Sequence, residues 1–462
     1  MRKDESLKIL SNDWKELIVE DQKTKEKLVI INIEVLNRLI TSHKSLITDR
    51  YKKLYDAYIG DYPILHQANK EAYKPDNRVV VNFAKYIVDT FNGFFIGVPI
   101  KVSSKKKEID DYINMLDKYN DQDDNNAELS KICSVFGKGY ELYFNDDYGN
   151  LGITYLDPRE GFMVYDESTV QKPRYFVTYH IVDEVMRGYI YDKTYKYEFN
   201  DKGGLHVFDG VEHGFNDIPA TEFIENEERM SIFESTYSLI NAYNKAMSEK
   251  ANDVDYFADA YLKILGPKLE ESDLVHIRDN RTINFESMDG SGDGIVVDFM
   301  SKPNADATQE NLINRLERLI FQNSMVANIN DENFGTTSGI ALRYKLLSMS
   351  NLAKAKERKF TSGMNRRYRV LFSNAITHRS EDDWLEVEYK FTQNYPANLL
   401  EEAQTAAQLS GIVSHETQLS FISAVEDTNA EMERIKKEDE NDMVETENRI
   451  FQNNEDSQND EQ

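Results

Sequence analysis

Very little in this sequence can cross-link, ligate or insert into lipid. A single cysteine, Cys133, among 462 residues excludes an internal disulfide and a cysteine metal cluster, and fits a reducing cytosol; it is expected as a small core residue. The longest apolar runs, such as residues 28–31 and 94–96, fall far short of the roughly 20 residues that span a bilayer, so no membrane partner is expected. Asp4, Glu5 and Lys8 stand where a secretory signal would have its basic start and apolar stretch, so the chain is expected to stay where it is made. Basic residues are in deficit, 55 Lys and Arg against 82 Asp and Glu, a formal charge of −27. Such a surface repels nucleic acid at long range. That argues against a tight DNA binder but not against a conduit, through which a polyanion must slide unheld.

Catalytic signatures are missing as well. There is no GxxxxGK[ST], no GxSxG and no Cys-His cluster, and His415-Glu416 continues as Thr417-Gln418-Leu419 rather than completing HExxH. Carboxylates are so abundant that choosing any pair as acid and base would be arbitrary. No catalytic residue, metal site or cofactor is expected, and the chain is not expected to be an enzyme. Residues 121–126 form a polar run, yet a calcium loop would need glycine where Asn126 stands and a bidentate Glu where Ile132 stands; a solvated loop leading into a helix is expected. Residues 290–294 mimic a phosphate loop only superficially, because no helix opens after them and the Lys-Ser/Thr pair is absent. A hairpin turn is expected there.

What is present reads as an α+β protein. With 40% hydrophobic and 30% charged residues the chain can bury cores, and its length calls for two or more packed units. Residues 33–58 carry apolar side chains at three- and four-residue steps and predict a helix, with another up to about residue 95. Between residues 140 and 223 the period becomes two: Tyr140, Leu142 and Phe144 alternate with Glu141 and Tyr143, then Tyr175, Val177 and Tyr179, then Tyr195, Tyr197 and Phe199. These are expected as half-buried strands of a mostly antiparallel sheet rather than as base-stacking tyrosines.

Helical spacing returns over residues 238–265, a predicted length of roughly 40 Å. It returns again from Asp306, which with Gln309 can cap a helix whose stripe is Leu312, Leu316, Leu319, Asn323 and Val326. A strand is expected over residues 294–300. Two long helices flanking a short segment predict an antiparallel hairpin with a small domain at its tip. The polar loop 330–339 follows, then a helix over residues 340–376 carrying Arg343, Lys345, Lys354, Lys356, Arg358, Lys359, Arg366, Arg367 and Arg369 against Glu357 alone. A solvated or subunit-facing surface is favoured there over DNA contact, because the charges spread over more than one face. Residues 384–392 predict a strand. From Glu433 onward apolar periodicity is lost and a disordered tail is expected.

Several segments, in this order, resemble the portal family of siphophages from Gram-positive hosts: RYKKLYDAYIG at 50–60, NRVVVNFAKYIVD at 77–89, GFFIGVPI at 93–100, Phe215 with Ile218-Pro219, INAYNKAMS at 240–248 running on to Leu265-Gly266, and SGIALRYK at 338–345. The likeness covers about residues 44–437. It implies a multidomain portal fold: an N-terminal segment and wing (1–237), a first stem helix (238–265), a small α/β clip (266–305) and a second stem helix (306–329). A tunnel loop (330–339), a long wing helix (340–383), a helical crown (384–437) and an acidic tail (438–462) would follow. It also implies a ring, typically a dodecamer, at one capsid vertex of the virion, assembled in the host cytoplasm. Its partners would be the terminase large subunit, the head-tail connector, scaffolding and major capsid proteins, with double-stranded DNA as cargo during packaging and ejection. By the same likeness Asn330, Asp331, Glu332, Asn333, Thr336, Thr337 and Ser338 would line the channel. Glu270, Glu271, Asp273, Arg278 and Arg281 would dock the motor and connector. From the basic stretch itself, Arg343, Lys345, Lys354 and Lys356 are the candidates for contact with DNA or a neighbouring subunit. The competing readings are another virion component, such as a minor head protein, and a nucleic-acid-processing enzyme.

Overall fold

The computed structural model describes residues 17–20, 27–30, 32–71, 74–166, 168–258, 262–265, 296–299, 306–329, 344–395, 399–422, 424–425, 428–438 and 440. They fall into two compact units, one within residues 1–328 and 348–393, the other within residues 329–347 and 394–462. The first opens with an antiparallel ribbon of β1 (Leu17–Glu20) and β2 (Lys27–Ile30). Helix α1 (Ile33–Leu46) starts where the Asn32 side chain accepts the Glu34 N–H, and passes through one π turn (Ile47–Tyr51) into α2 (Lys52–Ile59). Helix α3 (Phe83–Ile96), capped by Asn82, follows. The helical spacing read from the sequence holds in all three.

After β3 (Lys101–Ser104) come α4 (Lys107–Tyr119) and α5 (Gln122–Phe136). The polar run at 121–126 is therefore not a solvated loop but the first turn and a half of α5, with Gln122 and Asn126 buried. Eight strands succeed it: β4 (Lys138–Asn145), β5 (Leu151–Leu156), β6 (Gly161–Tyr165), β7 (Pro173–Val182), β8 (Val185–Tyr191), β9 (Tyr195–Asn200), β10 (His206–Glu212) and β11 (Ala220–Ile224). They form two antiparallel sheets, ordered β10-β9-β8-β7-β6 and β11-β4-β5.

The burial pattern places these in layers. Val35, Leu36, Leu39 and Ile40 of α1 pack on Phe162, Val164, Val177 and Phe199 of the five-stranded sheet. Its other face gives Met163, Phe176 and Tyr191 to a second core with Tyr140 and Ala220 of the smaller sheet and Ile218 just before it. Strand β4 is thus covered on both faces, and this corrects the alternation read for it. Glu141 and Tyr143, expected outside, are 0% and 1% exposed, while Phe144, expected inside, is 43% exposed. Tyr175, Tyr179 and Tyr197 are buried core residues, as half-buried strands require.

Helix α6 (Tyr237–Ala258) is 22 residues long, about 33 Å. It is shorter than expected, because residues Leu262–Leu265 form β12, paired antiparallel with β13 (Val296–Phe299). Helix α7 (Asp306–Ser324) returns, and α8 (Leu347–Phe372) runs along β11 of the small sheet. Strand β14 (Val387–Lys390) pairs with β3, so residues 384–393, expected at the start of a crown, belong to the first unit. In the second unit α9 (Leu399–Gln408) and α10 (His415–Leu419) are tied by the Gln418 amide donating to the Ala406 carbonyl at 2.8 Å. Residues 428–438 are helical, past the point where order was expected to end.

The turn between α5 and β4 shows how tightly the layers close. Gly137 ends α5 at φ +87, and a Cβ there would collide with the Arg229 carbonyl; Gly149 also has positive φ, +81, but nothing lies within 4 Å. Gly149→Ala is expected to cost about 1 kcal/mol, the backbone term alone. Gly137→Ala should cost more than about 3 kcal/mol in urea unfolding, because backbone must move as well.

Candidate functional site

Helices α6 and α7 form the antiparallel hairpin. Lys250 pairs with Glu310, and the Gln309 amide donates to Asp253 at 2.7 Å, so Gln309 bridges the helices. The buried stripe is Ile240 and Tyr243 facing Ile313, Leu316 and Ile320. This shifts the expected register of α7: Leu312 is 51% exposed, and Asn323 is exposed as well. At the base, Phe83 of α3 stands edge-on to Tyr243 and Phe321, with ring centroids at 4.9 and 5.6 Å. The β12–β13 ribbon marks the far end.

A second feature had no counterpart in the periodicity. Asn244, Ser248 and Asn252 are buried on one line of α6 and face the extended segment 77–81. The Asn77 N–H donates to Asn252 Oδ1 at 2.6 Å, the Val79 N–H to Ser248 Oγ at 2.9 Å, and the Val81 N–H to Asn244 Oδ1 at 2.9 Å. The spacing explains the match. Four helical residues rise about 6.0 Å and two extended residues about 6.6 Å, so alternate amides meet every fourth side chain. The helix supplies in side chains what a neighbouring strand would supply in carbonyls. The signal in the sequence was three short polar residues at four-residue spacing beside an extended Val-Val-Val.

Helix α8 uses its positive charge in a way the sequence reading did not anticipate. Lys356 is 1% exposed. Its Nζ lies 2.7 Å from Glu225 Oε2 and donates to Ser134 Oγ at 2.7 Å and the Ser130 carbonyl at 2.9 Å. It is not the surface cation expected for DNA or subunit contact. Arg367 is 0% exposed and donates to both carboxylate oxygens of Glu141, at 2.8 and 2.6 Å, and to Asn126 Oδ1 at 2.6 Å. Burial disfavours its charge, but Glu141 outweighs burial and raises the guanidinium pKa. At the rim Lys359 pairs with Glu227 and Arg366 with Asp217. The sequence did contain a hint: Lys356 and Arg367 fall on the apolar stripe of Met349, Ala353, Phe360, Met364 and Leu371, where a surface cation has no place.

Of the other expected site residues, Lys345 and Lys354 are exposed. Asn330, Asp331, Glu332, Asn333, Thr336, Thr337, Ser338 and Arg343 lie outside the described residues, as do Glu270, Glu271, Asp273, Arg278 and Arg281. Cys133 is fully buried and its thiol pKa is pushed up by burial, as a core residue. Among the described residues no group of three or more His, Cys, Asp or Glu is placed to hold a metal ion, and no helix is long and apolar enough to cross a membrane.

Comparison with known proteins matches residues 37–445 to the family described as phage portal protein, SPP1 Gp6-like. The chain is 22% identical over 364 residues to the portal protein of Clostridium phage phiCD119, covering 73% of this chain and 79% of that one. It is 24% identical over 395 residues to the portal protein of Bacillus phage SPP1, covering 79% and 76%. Among solved structures, a chain from the neck of an empty GTA particle aligns at TM-score 0.43 and 13% identity, covering 82% of this chain and 93% of that one.

The side-chain ladder on α6 gives a direct test. In Asn244→Ala/Ser248→Ala, amide exchange at Val79 and Val81 should accelerate roughly 10-fold or more, since each lost bond is worth about 1 kcal/mol. Amides of β7 and β8 should keep their protection. Unchanged exchange at Val79 and Val81 would show that the segment is held by something else.

Proposed function

The chain belongs to the SPP1 Gp6-like family of phage portal proteins, and from that premise we propose that it closes into a ring, a dodecamer by the family pattern, around a channel that passes double-stranded DNA in packaging and ejection. Portal proteins are structural components of the virion at a capsid vertex, and the reading for this chain is a passive conduit. The observation that carries it is the hairpin. Its inner stripe is buried, yet Val254 and Leu312 on its outer faces are 63% and 51% exposed, and no further layer among the described residues covers them. Side-by-side packing of copies around an axis supplies that layer.

On this reading α6 and α7 are the stem, and the β12–β13 ribbon with residues 266–295 is the clip. Its Glu270, Glu271, Asp273, Arg278 and Arg281 would meet the terminase large subunit during packaging and the head-tail connector afterwards. Scaffolding and major capsid proteins would meet the ring during assembly in the host cytoplasm, with residues 394–437 as the crown. A surface of formal charge −27 suits a conduit, because it offers phosphates no net attraction. The loop 330–339 (NDENFGTTSG) carries acids, amides and hydroxyls without Lys or Arg, and we assign it to the narrowest part of the channel. Lys345 and Lys354 remain as DNA or subunit contacts; Lys356 does not.

Electron microscopy of the purified protein tests the ring. Closed rings with a channel of roughly 20 Å or more are expected, wide enough for a duplex whose major groove alone is about 12 Å across. A monomer at micromolar concentration in all salts would defeat the proposal and favour a minor head protein. The loop is tested separately in packaging assays. Procapsids carrying Asp331→Lys/Glu332→Lys should assemble normally but translocate DNA several-fold more slowly, because every subunit adds phosphate contacts at once. Packaging at the unmodified rate would remove the loop from the channel wall.

A further inference from the structure

The three-stranded sheet ends at β11, and the free edge of that strand opens into a groove. The Tyr143 N–H donates to the Pro219 carbonyl at 2.8 Å and the Glu225 N–H to the Gly137 carbonyl at 2.9 Å, with Thr221 opposite Glu141 and Phe223 opposite Gly139. In antiparallel pairing the residues between these turn their backbone groups the other way. The N–H and C=O of Glu222 and Ile224 therefore point away from β4, and among the described residues β11 has no second neighbour in the sheet. Alongside runs α8, held close by Gly363, where a Cβ would come within 2.6 Å of the Phe223 ring. Between helix and edge lies a cleft of about 700 Å³, lined by Glu222 and Ile224 on one side, Arg358, Ser362 and Arg369 on the other, and Trp384.

The two walls offer complementary recognition. Arg358 is exposed and forms no ion pair among the described residues. Arg369 is half exposed, with its nearest carboxylate, Asp217, at 3.6 Å. The two arginines stand about 16 Å apart along the helix, and a five-residue strand such as β11 extends about 17 Å. A peptide laid against the edge would reach from one arginine to the other.

We propose that this groove takes an extended acidic peptide segment of a partner protein, added as a fourth strand on β11. Its main chain bonds to Glu222 and Ile224, and its carboxylates meet Arg358 and Arg369. A peptide fits better than a nucleic acid because the edge presents N–H and C=O groups alternating at the strand repeat, which another peptide backbone matches and a phosphodiester does not. On a chain of charge −27 Arg358 and the half-exposed Arg369, held by Asp217 only at 3.6 Å, form a positive island beside the strand edge, and charge complementarity selects acidic segments over basic ones.

The proposal is tested on the full chain by fluorescence anisotropy with a labelled peptide of alternating Val and Glu, about seven residues long. Binding is expected to weaken at least about tenfold in Arg358→Glu/Arg369→Glu. It should weaken likewise in Ile224→Pro, which removes an outward N–H and no bond to β4. A peptide methylated on alternate backbone amides should bind at least about tenfold more weakly. Circular dichroism and thermal unfolding confirm that both variants fold. No binding, equal binding of a Val-Lys peptide, or indifference to methylation would overturn the proposal. So would an oligothymidylate that competes as well as the acidic peptide. If the charge reversal instead disrupts self-association while peptide affinity is unchanged, the groove is a seam between copies and the proposal fails, with the ring left standing.

Discussion

Two cations buried on the inner face of α8 constrain everything packed around it. Lys356 and Arg367 are 1% and 0% exposed, and a buried charge without a partner costs several kcal/mol. The carboxylates that answer them, Glu225 and Glu141, lie after β11 and on the middle strand β4, so helix and sheet can meet in only one register. Helix α5 must then present Asn126 to the same guanidinium and Ser134 to the same ammonium. Removing one partner of either pair would leave an uncompensated buried charge, a loss of about 3–5 kcal/mol.

Fixing α8 also positions what lies around it. Its inner face closes over Phe223, with the Phe360 ring of the helix 4.9 Å from it between centroids, and its outer face and the β11 edge make the walls of the groove. The hairpin is joined to the same body by different means. Aromatic contacts from Phe83 anchor its base, and the ladder of Asn244, Ser248 and Asn252 fastens segment 77–81 along α6. Those bonds are backbone-directed, so they fix the position of the segment without depending on the identity of its own side chains.

A conduit for DNA works best without specific attraction for its cargo. The distribution of charge here suits that task. Positive side chains are largely consumed inside the subunit, Lys359 on Glu227 and Arg366 on Asp217 as well as the two buried pairs, which leaves the excess of carboxylates to the outside. Of the basic stretch read from the sequence, Lys356 and Arg367 are internal scaffolding, Lys359 and Arg366 are paired at the rim, and Lys345, Lys354 and Arg358 stay exposed.

The sequence by itself determined the type of the long periodic elements, such as α1, α3, α6, α7 and α8 and strands β7 and β9, because helical and strand periodicities report local burial and survive without knowledge of partners. It also determined the hairpin, the acidic balance and, through motif order, the family. Tertiary structure alone decided which polar residues go inside. Glu141 sits 226 positions from Arg367, and neither side chain shows its partner in a local window. The same holds for the end of α6: residues Leu262–Leu265 continue a helical pattern, yet they pair with Val296–Phe299, whose hydrogen bonds no helical period encodes. The alternation in β4 misled for one physical reason. Period two distinguishes a core face from a solvent face only when one side of a strand meets water, and β4 is covered on both sides by layers drawn from distant parts of the chain.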